Sequence, residues 1–334
     1  MKAILVPNFI PDPSTLQPSD VPTPTPKPDQ YLVRVTHCSP QHADILHAQG
    51  KHQNNNAKKG WCFPPFVLGY DFAGVVESLP SDGKSSAFKK GDRVFGAGIG
   101  AFAEHVCVPE RQMRRIPEEL SSETACAMSG QAVSYASVVN VAKVEKGETV
   151  LVSGASGGLG SAKGARVIAL AGDAEKAEAM RKDMGVDLVL LMEGDWIQKV
   201  MDFTSGEGVD VVLDNTGMVN DAIRCVAYFG RIVVLGFAAR KGVMEDVKMN
   251  KLLLKSVTVM GYRFGESGRR YPKTLEEIWD GYLNMLKNGE MKAMIYGKYD
   301  GLEDVGRALK DLHDRKVYGK IVVKVADAQE AAKL

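Results

Sequence analysis

Twelve residues, TVLVSGASGGLG from Thr149 to Gly160, carry the plainest chemistry in this chain. Ala155, Gly157 and Gly160 fall on a GxGxxG spacing, with alanine in the first position. After a strand, that spacing supplies a tight turn, a close backbone approach to a pyrophosphate and free amides at a helix N-terminus. The chemistry it suits is dinucleotide binding, with Ser156, Gly157, Gly158, Leu159 and Gly160 facing the phosphates. A second signal belongs at the end of the next strand, where an NAD-preferring unit places an acid for the ribose hydroxyls. Here Ala171-Gly172 stand there, and Lys176 follows four residues after Gly172. His37, His42, His47 and His52 recur five apart, a spacing that suits neither a helix face nor one strand face, so they read as solvated or core side chains. The five cysteines, Cys38, Cys62, Cys107, Cys126 and Cys225, form no CxxC pair and read as reduced thiols.

These residues need a scaffold, and the chain is long enough for two domains at 334 residues. A net charge of +1 leaves no basic field for nucleic acid. The start, MKAILVPNFI, has no signal-peptide pattern, and no run approaches 18 apolar residues, so a cytoplasmic protein without a membrane span is expected. The first 120 residues or so read as short strands, KAILV, YLVRV, AGVVES and FAEHVCVP, joined by irregular loops. VPTPTPKP lacks the amide donors of a central strand and reads as an extended surface crossing.

From Thr149 the pattern becomes six apolar runs, TVLVS, ARVIAL, LVLLM, VDVVLDN, RIVVLG and SVTVMGY. Runs this uniformly apolar suit a parallel sheet covered by helices on both faces. Asp173 and Asp195 are placed to cap helices, and Thr274 with Glu277 makes a capping-box pattern for a helix ending near Gly289. EDVGRALKDLHD reads as a helix and KIVVKV as a strand returning to the first domain. The gaps between runs, 171–187, 193–208, 216–230 and 237–255, hold 17, 16, 15 and 19 residues, whereas 154–164 holds 11. A five-residue strand advances about 17 Å. Returning that far as α-helix takes about 11 residues, and the glycine turn leaves only about two turns. The first connection is therefore extended, or the second strand shifts, or the segment is poorly folded.

GYDFAGVV (69–76), GDRVFG (91–96), FAEHVCVP, VLVSGASGGLG, GVDVVLDNTG (208–217), GRIVVLGFA (230–238), NKLLLKSVTVMGYRFGE (250–266) and GKIVVKV occur in order over nearly the whole chain. Together they resemble the zinc-independent quinone oxidoreductase (zeta-crystallin-like) branch of the medium-chain dehydrogenase/reductase superfamily. The resemblance implies a GroES-like β-rich catalytic domain, residues 1–122 with 266–334, and a Rossmann domain, residues 123–265. Members of that branch carry about seven more residues after the glycine turn, two helical turns, so the first crossover helix is expected to be truncated.

The superfamily's zinc ligands correspond to Gln41, Tyr70 and Asp71, and about Met128, a set with no tetrahedral N/S site. The implied chemistry is reduction of quinones or α,β-unsaturated carbonyls by hydride from NADPH, without zinc, in a homodimer paired along SVTVMGY. Gly172 and Lys176 resemble the family's 2′-phosphate clamp, with Asp173 in place of its serine, so NADPH is expected ahead of NADH. Asn215, Gly236, Phe237, Tyr262 and Phe264 match positions used toward the nicotinamide. Gln41 and His52 match substrate-pocket positions, and a histidine there is able to protonate the product. Two alternatives stay open: a member that keeps the fold but binds cofactor weakly or not at all, and an enoyl-thioester reductase.

Overall fold

The computed structural model describes residues 1–52, 54–55, 62–83, 87–154, 164–183, 185–238, 245–291 and 293–326. The chain divides into two compact units, residues 1–130 with 293–334, and residues 131–292. The expected divisions at 122/123 and 265/266 lie 8 and 27 residues before those of the contact-defined units.

In the first unit β1 (Lys2–Val6), β2 (Pro18–Asp20), β3 (Gln30–Ser39), helix α1 (His42–Ala48), β4 (Phe66–Val67), β5 (Asp71–Ser78), β6 (Arg93–Ala97), β7 (His105–Pro109), β8 (Met113–Arg115) and α2 (Ser122–Met128) follow in order. The chain returns at its end with β15 (Tyr299–Asp300), α10 (Val305–His313) and β16 (Val323–Lys324). Seven of these strands form one sheet in the order β15-β16-β3-β5-β6-β8, with β7 also on β3, and β2-β1-β4 form a second. Tyr31, Val33 and Val35 alternate inward from β3 to a core shared with Phe72 and Phe102. Gly74 permits the close β3–β5 approach, because a Cβ there would lie 2.2 Å from the Arg34 carbonyl oxygen. Of KIVVKV only Val323–Lys324 is strand, and it pairs with β3 as the returning strand should. Residues 21–28 carry no strand, as their prolines require. Helix α1 gives no sequence signal strong enough to separate it from the loop beyond, because it is only seven residues long.

The second unit opens with α3 (Ala132–Ala136) and a π-turn, Ser137–Val141. There follow β9 (Thr149–Ser153), β10 (Arg166–Ala171), α4 (Ala174–Asp183), β11 (Leu188–Leu191), α5 (Trp196–Phe203), β12 (Val209–Asp214), α6 (Val219–Cys225), β13 (Val226–Val234), α7 (Met249–Lys255), β14 (Thr258–Gly261), α8 (Phe264–Arg270) and α9 (Pro272–Lys287). All six apolar runs become strands of one sheet, ordered β11-β10-β9-β12-β13-β14, with every neighbouring pair parallel. The order reverses between β9 and β12, which makes the carboxyl ends of those two strands the switch point where ligands of such sheets bind.

The short first connection does not displace the second strand. β10 pairs with β9 from Arg166↔Thr149 to Leu170↔Ser153, so the start of each strand is flush with the other. The remaining expectations for the connection concern residues 155–163, which lie outside the described residues, as do Ser156, Gly157, Gly158, Leu159 and Gly160. Two capping expectations are corrected. Helix α9 starts at Pro272, two residues before Thr274, because proline at a first helical position is pre-set for the turn. Asp195 precedes α5 but makes no capping bond, its carboxylate being drawn 2.8 Å from Lys199.

Candidate active site

In the second unit the carboxyl ends of β9 and β12 are tied by one buried carboxylate. Asp214 is wholly buried, and its Oδ1 accepts from Ser153 Oγ (2.8 Å) and from the backbone N–H of Thr216 (2.9 Å) and Gly217 (3.0 Å). Its Oδ2 accepts from the Met218 N–H at 2.7 Å, and the Thr216 hydroxyl lies 3.0 Å from Oδ1. A carboxylate is suited to this place because it only accepts, and three consecutive backbone amides point at it. Asn215 is held in the same turn, its N–H donating to Ser153 Oγ and its side-chain Nδ2 to the Ser153 carbonyl, both 3.1 Å. Thr216 lies in the segment Asn215-Thr216-Gly217 that the resemblance places toward the nicotinamide, whereas Ser153 and Asp214 were not foreseen as site residues. The signal available was a polar residue ending each of two otherwise apolar runs.

β13 and β14 reach the same edge. Leu235 N–H donates to the Asp214 carbonyl at 2.7 Å, and Gly236 is packed so closely that a Cβ would stand 3.1 Å from the Asn215 carbonyl oxygen. Phe237 is exposed, while Tyr262 donates its N–H to Val234 and meets Phe264 edge to face at 6.4 Å. At the end of β10, Gly172 is open, with nothing within 4 Å of a Cβ. Asp173 accepts the Lys176 N–H at 2.9 Å, capping α4, and its other oxygen lies 3.1 Å from the Lys176 ammonium. The carboxylate therefore both caps the helix and occupies the cation.

In the first unit Gln41 stands before α1 and joins two buried carboxyls. Its N–H donates to Asp44 Oδ2 at 2.8 Å and its Nε2 to Asp71 Oδ2 at 2.7 Å. Burial pushes Asp44 up to about 8, and its Oδ1 meets no hydrogen-bond partner among the described residues. Burial likewise pushes Asp71 up to about 6, against the lowering pull of the Lys320 ammonium. The evenly spaced histidines divide: His37 is on β3 and His42 on α1, but His47 and His52 stack with ring centroids 3.9 Å apart. Tyr70 lies on the other contact of His47 at 5.2 Å. Spacing by five thus brings one pair together, because α1 ends at Ala48 and the chain then turns back. Burial first, then the His52 charge, holds His47 down to about 4. His52 Nδ1 accepts the Asn54 N–H at 3.1 Å, which leaves the ring proton on Nε2. No cluster of three or more His, Cys, Asp or Glu able to hold a metal occurs among the described residues.

Residues 27–118 match the alcohol dehydrogenase GroES-like domain, and residues 154–280 match the family described as zinc-binding dehydrogenase. Quinone oxidoreductase-like protein 2 of Bos taurus is 32% identical over 317 residues, 90% of this chain and 87% of that one. The chain belongs to the quinone oxidoreductase family of the medium-chain dehydrogenase/reductase superfamily. A probable oxidoreductase from Mycobacterium abscessus superposes with a TM-score of 0.85 at 32% identity, covering 97% of this chain and 98% of that one. A mycobacterial protein whose structure is described as complexed with NADPH gives 0.82 at 28% identity, covering 97% of this chain and 100% of its own. Within this oxidoreductase family, the structure brings Asn215, Gly236, Phe237, Tyr262 and Phe264 to the carboxyl edge of the sheet through β12, β13 and β14. Gly172 and Lys176 follow β10, and Gln41 and His52 flank α1 in the other unit.

Proposed function

We propose that the protein reduces quinones or α,β-unsaturated carbonyls with NADPH, without zinc. NADPH when bound supplies the hydride; the chain's own residues hold the nucleotide and supply a proton. The observation that carries the reading is the Lys176 ammonium just beyond β10, where Ala171 and Gly172 replace the ribose-binding acid of NAD enzymes. Gly172 leaves open space beside it, so the residues present fit a 2′-phosphate once Lys176 turns from Asp173. Ser156, Gly157, Gly158, Leu159 and Gly160 are proposed to cradle the pyrophosphate, and Asn215, Gly236, Phe237, Tyr262 and Phe264 to line the nicotinamide end. Gln41 and His52 are assigned to the substrate pocket, where His52 would donate a proton in its imidazolium form, its Nδ1 having released the Asn54 N–H.

Zinc independence is supported by the chemistry of the corresponding residues. Gln41 points its amide nitrogen at Asp71, the one carboxylate of the set, and the Lys320 charge acts on the same group. Tyr70 is a phenol whose burial favours the neutral form, and Met128 offers a thioether in place of a thiolate. This donor set does not fit a zinc ion. The homodimer is supported by exposed apolar side chains, Tyr228, Phe229, Met249, Leu253 and Leu254, on β13 and on the helix that leads into edge strand β14. A cytoplasmic setting is supported by five free cysteines. The domain limits expected from the sequence, 1–122 with 266–334 and 123–265, remain part of this proposal.

The test is titration of the purified chain with NADPH and NADH, followed by NADPH oxidation with a quinone. Tighter binding of NADPH and quinone-dependent oxidation are expected; no binding of either nucleotide at millimolar concentration would overturn the reading. The shortened connection between β9 and β10 favours a second reading, a family member with weakened cofactor binding. Inserting seven helix-forming residues after Ser161 then raises NADPH affinity, and an unchanged affinity sinks that alternative.

A further inference from the structure

The second unit holds a cleft of about 210 Å³ that shares only Tyr262 and Phe264 with the nucleotide assignments. Its walls come from three places: Val141 on the π-turn after α3, Tyr262 and Phe264 just past β14, and Leu275 and Ile278 on α9. Tyr271, well exposed at the junction of α8 and α9, stands at its rim with Thr274. Most of this lining is hydrocarbon or aromatic ring. The α8–α9 contact that shapes one wall is fixed by a small residue. A Cβ on Gly268 would come 2.8 Å from Leu275 Cδ2.

Position and size limit the occupant. The cleft opens where β14 ends, on the carboxyl edge of a parallel sheet, and ligands of such sheets bind beyond that edge. Whole-ligand pockets run to about 300–1,000 Å³, so 210 Å³ suits part of a molecule rather than all of one. Among the described residues no charged side chain lines it, so a phosphate or carboxylate would meet no countercharge there. An apolar recess beside the expected nicotinamide residues is suited to the hydrocarbon substituent of the compound being reduced. Tyr262 and Phe264, assigned above from the sequence to the nicotinamide end, also form part of this recess.

We propose that this cleft is a tail subsite, and that the substrates are quinones or enones bearing a hydrocarbon chain. This rests on the hydride-transfer reading above and narrows it to lipophilic acceptors. Burial of each methylene favours binding by about fourfold, so specificity should climb with chain length until the cleft is full.

The experiment uses the full chain with NADPH and a series of 1,4-benzoquinones carrying no substituent, ethyl, butyl, hexyl and decyl chains. kcat/KM is expected to rise about fourfold per methylene over the first members and then level off. Thr274→Trp puts an indole at the rim and is expected to flatten that rise. Glu277→Trp adds the same bulk at an exposed α9 position outside the cleft and should keep it. Calorimetric binding of decylbenzoquinone is measured in parallel, with at least a tenfold loss expected in Thr274→Trp. A flat chain-length profile in the parent protein, or the same slope and affinity in Thr274→Trp, overturns the subsite. Chain-length-dependent binding without turnover of any member supports the subsite and overturns the reaction assigned to the protein.

Discussion

Replacing Asp214 by Asn tests whether the switch-point turn is held by one carboxylate. The isosteric amide keeps the volume but offers a single acceptor. With its oxygen in the Oδ1 place it still accepts from Ser153 and from the Thr216 and Gly217 amides, now as a neutral group. Its NH₂ then faces the Met218 N–H, which loses a 2.7 Å bond and stays buried. Bonds to a charged group contribute about 1.5–3 kcal/mol each and neutral ones about 1, while an orphaned buried N–H costs about 1–3 kcal/mol. Relief of carboxylate desolvation offsets part of this, and a net loss of about 3 kcal/mol is expected. For a unit of this size that is a fall of roughly 6–12 °C in the thermal transition that includes residues 131–292. Circular dichroism melts without nucleotide provide the assay. Ser153→Ala alone should cost about 1–2 kcal/mol, and less in the Asp214→Asn background, where the bond it removes runs to a neutral oxygen instead of a charged one. A shift below 2 °C for Asp214→Asn, or strict additivity with Ser153→Ala, would refute the claim that this carboxylate organises the turn.

Other outcomes follow from the same geometry. Asp173→Ser releases the Lys176 ammonium and should tighten NADPH about tenfold while leaving NADH nearly unchanged, whereas Lys176→Met should weaken NADPH by a similar factor; both are read by nucleotide titration. His47, held at about 4 when folded against about 6.5 unfolded, takes up a proton only on unfolding between those values. Stability should therefore fall as pH drops through that window, by up to about 3 kcal/mol. Asp44 works oppositely. At about 8 when folded it keeps a proton that the unfolded chain has lost above about 4, so its contribution declines as pH rises from 4 to 8. Urea midpoints across pH 4.5–8 should accordingly lose the Asp44 decline toward high pH in Asp44→Asn and the His47 decline toward low pH in His47→Gln, each over the unchanged contribution of Asp71, which burial also raises. Leu254→Glu places a charge on the exposed apolar face of α7 and should convert the proposed dimer to a 36.2 kDa monomer in sedimentation, with an unchanged mass refuting that interface.

Much of the architecture is local in origin and could be read from the chain. Five of the six apolar runs are strands because continuous Val, Ile and Leu suit a sheet buried on both faces, the sixth being the more exposed edge strand β14, and the helices lie in the gaps between them. The family is likewise legible, since its motifs are contiguous words such as GYDFAGVV and GRIVVLGFA. Gly172 and Asn215 could be named because each follows directly on a strand end and Gly236 because it lies two residues past one, whereas Lys176, inside α4, was named from the family resemblance. What the sequence could not supply were relations between distant segments. Asp214 reads as a polar stop at a strand end until β9 lies beside β12 and Ser153 meets it across 61 residues. Gln41 becomes a link between carboxyls only when β5 brings Asp71 to it, and the His47–His52 stack needs a short helix too weak to show as periodicity. A connection short by seven residues left a displaced second strand as one of three outcomes, yet β10 sits flush on β9, because five registered pairings and a buried apolar strand hold it there. The chain alone determined the elements and the chemistry of each strand end; only the tertiary structure decided which ends meet, since strand order and buried polar pairing depend on contacts that no local pattern encodes.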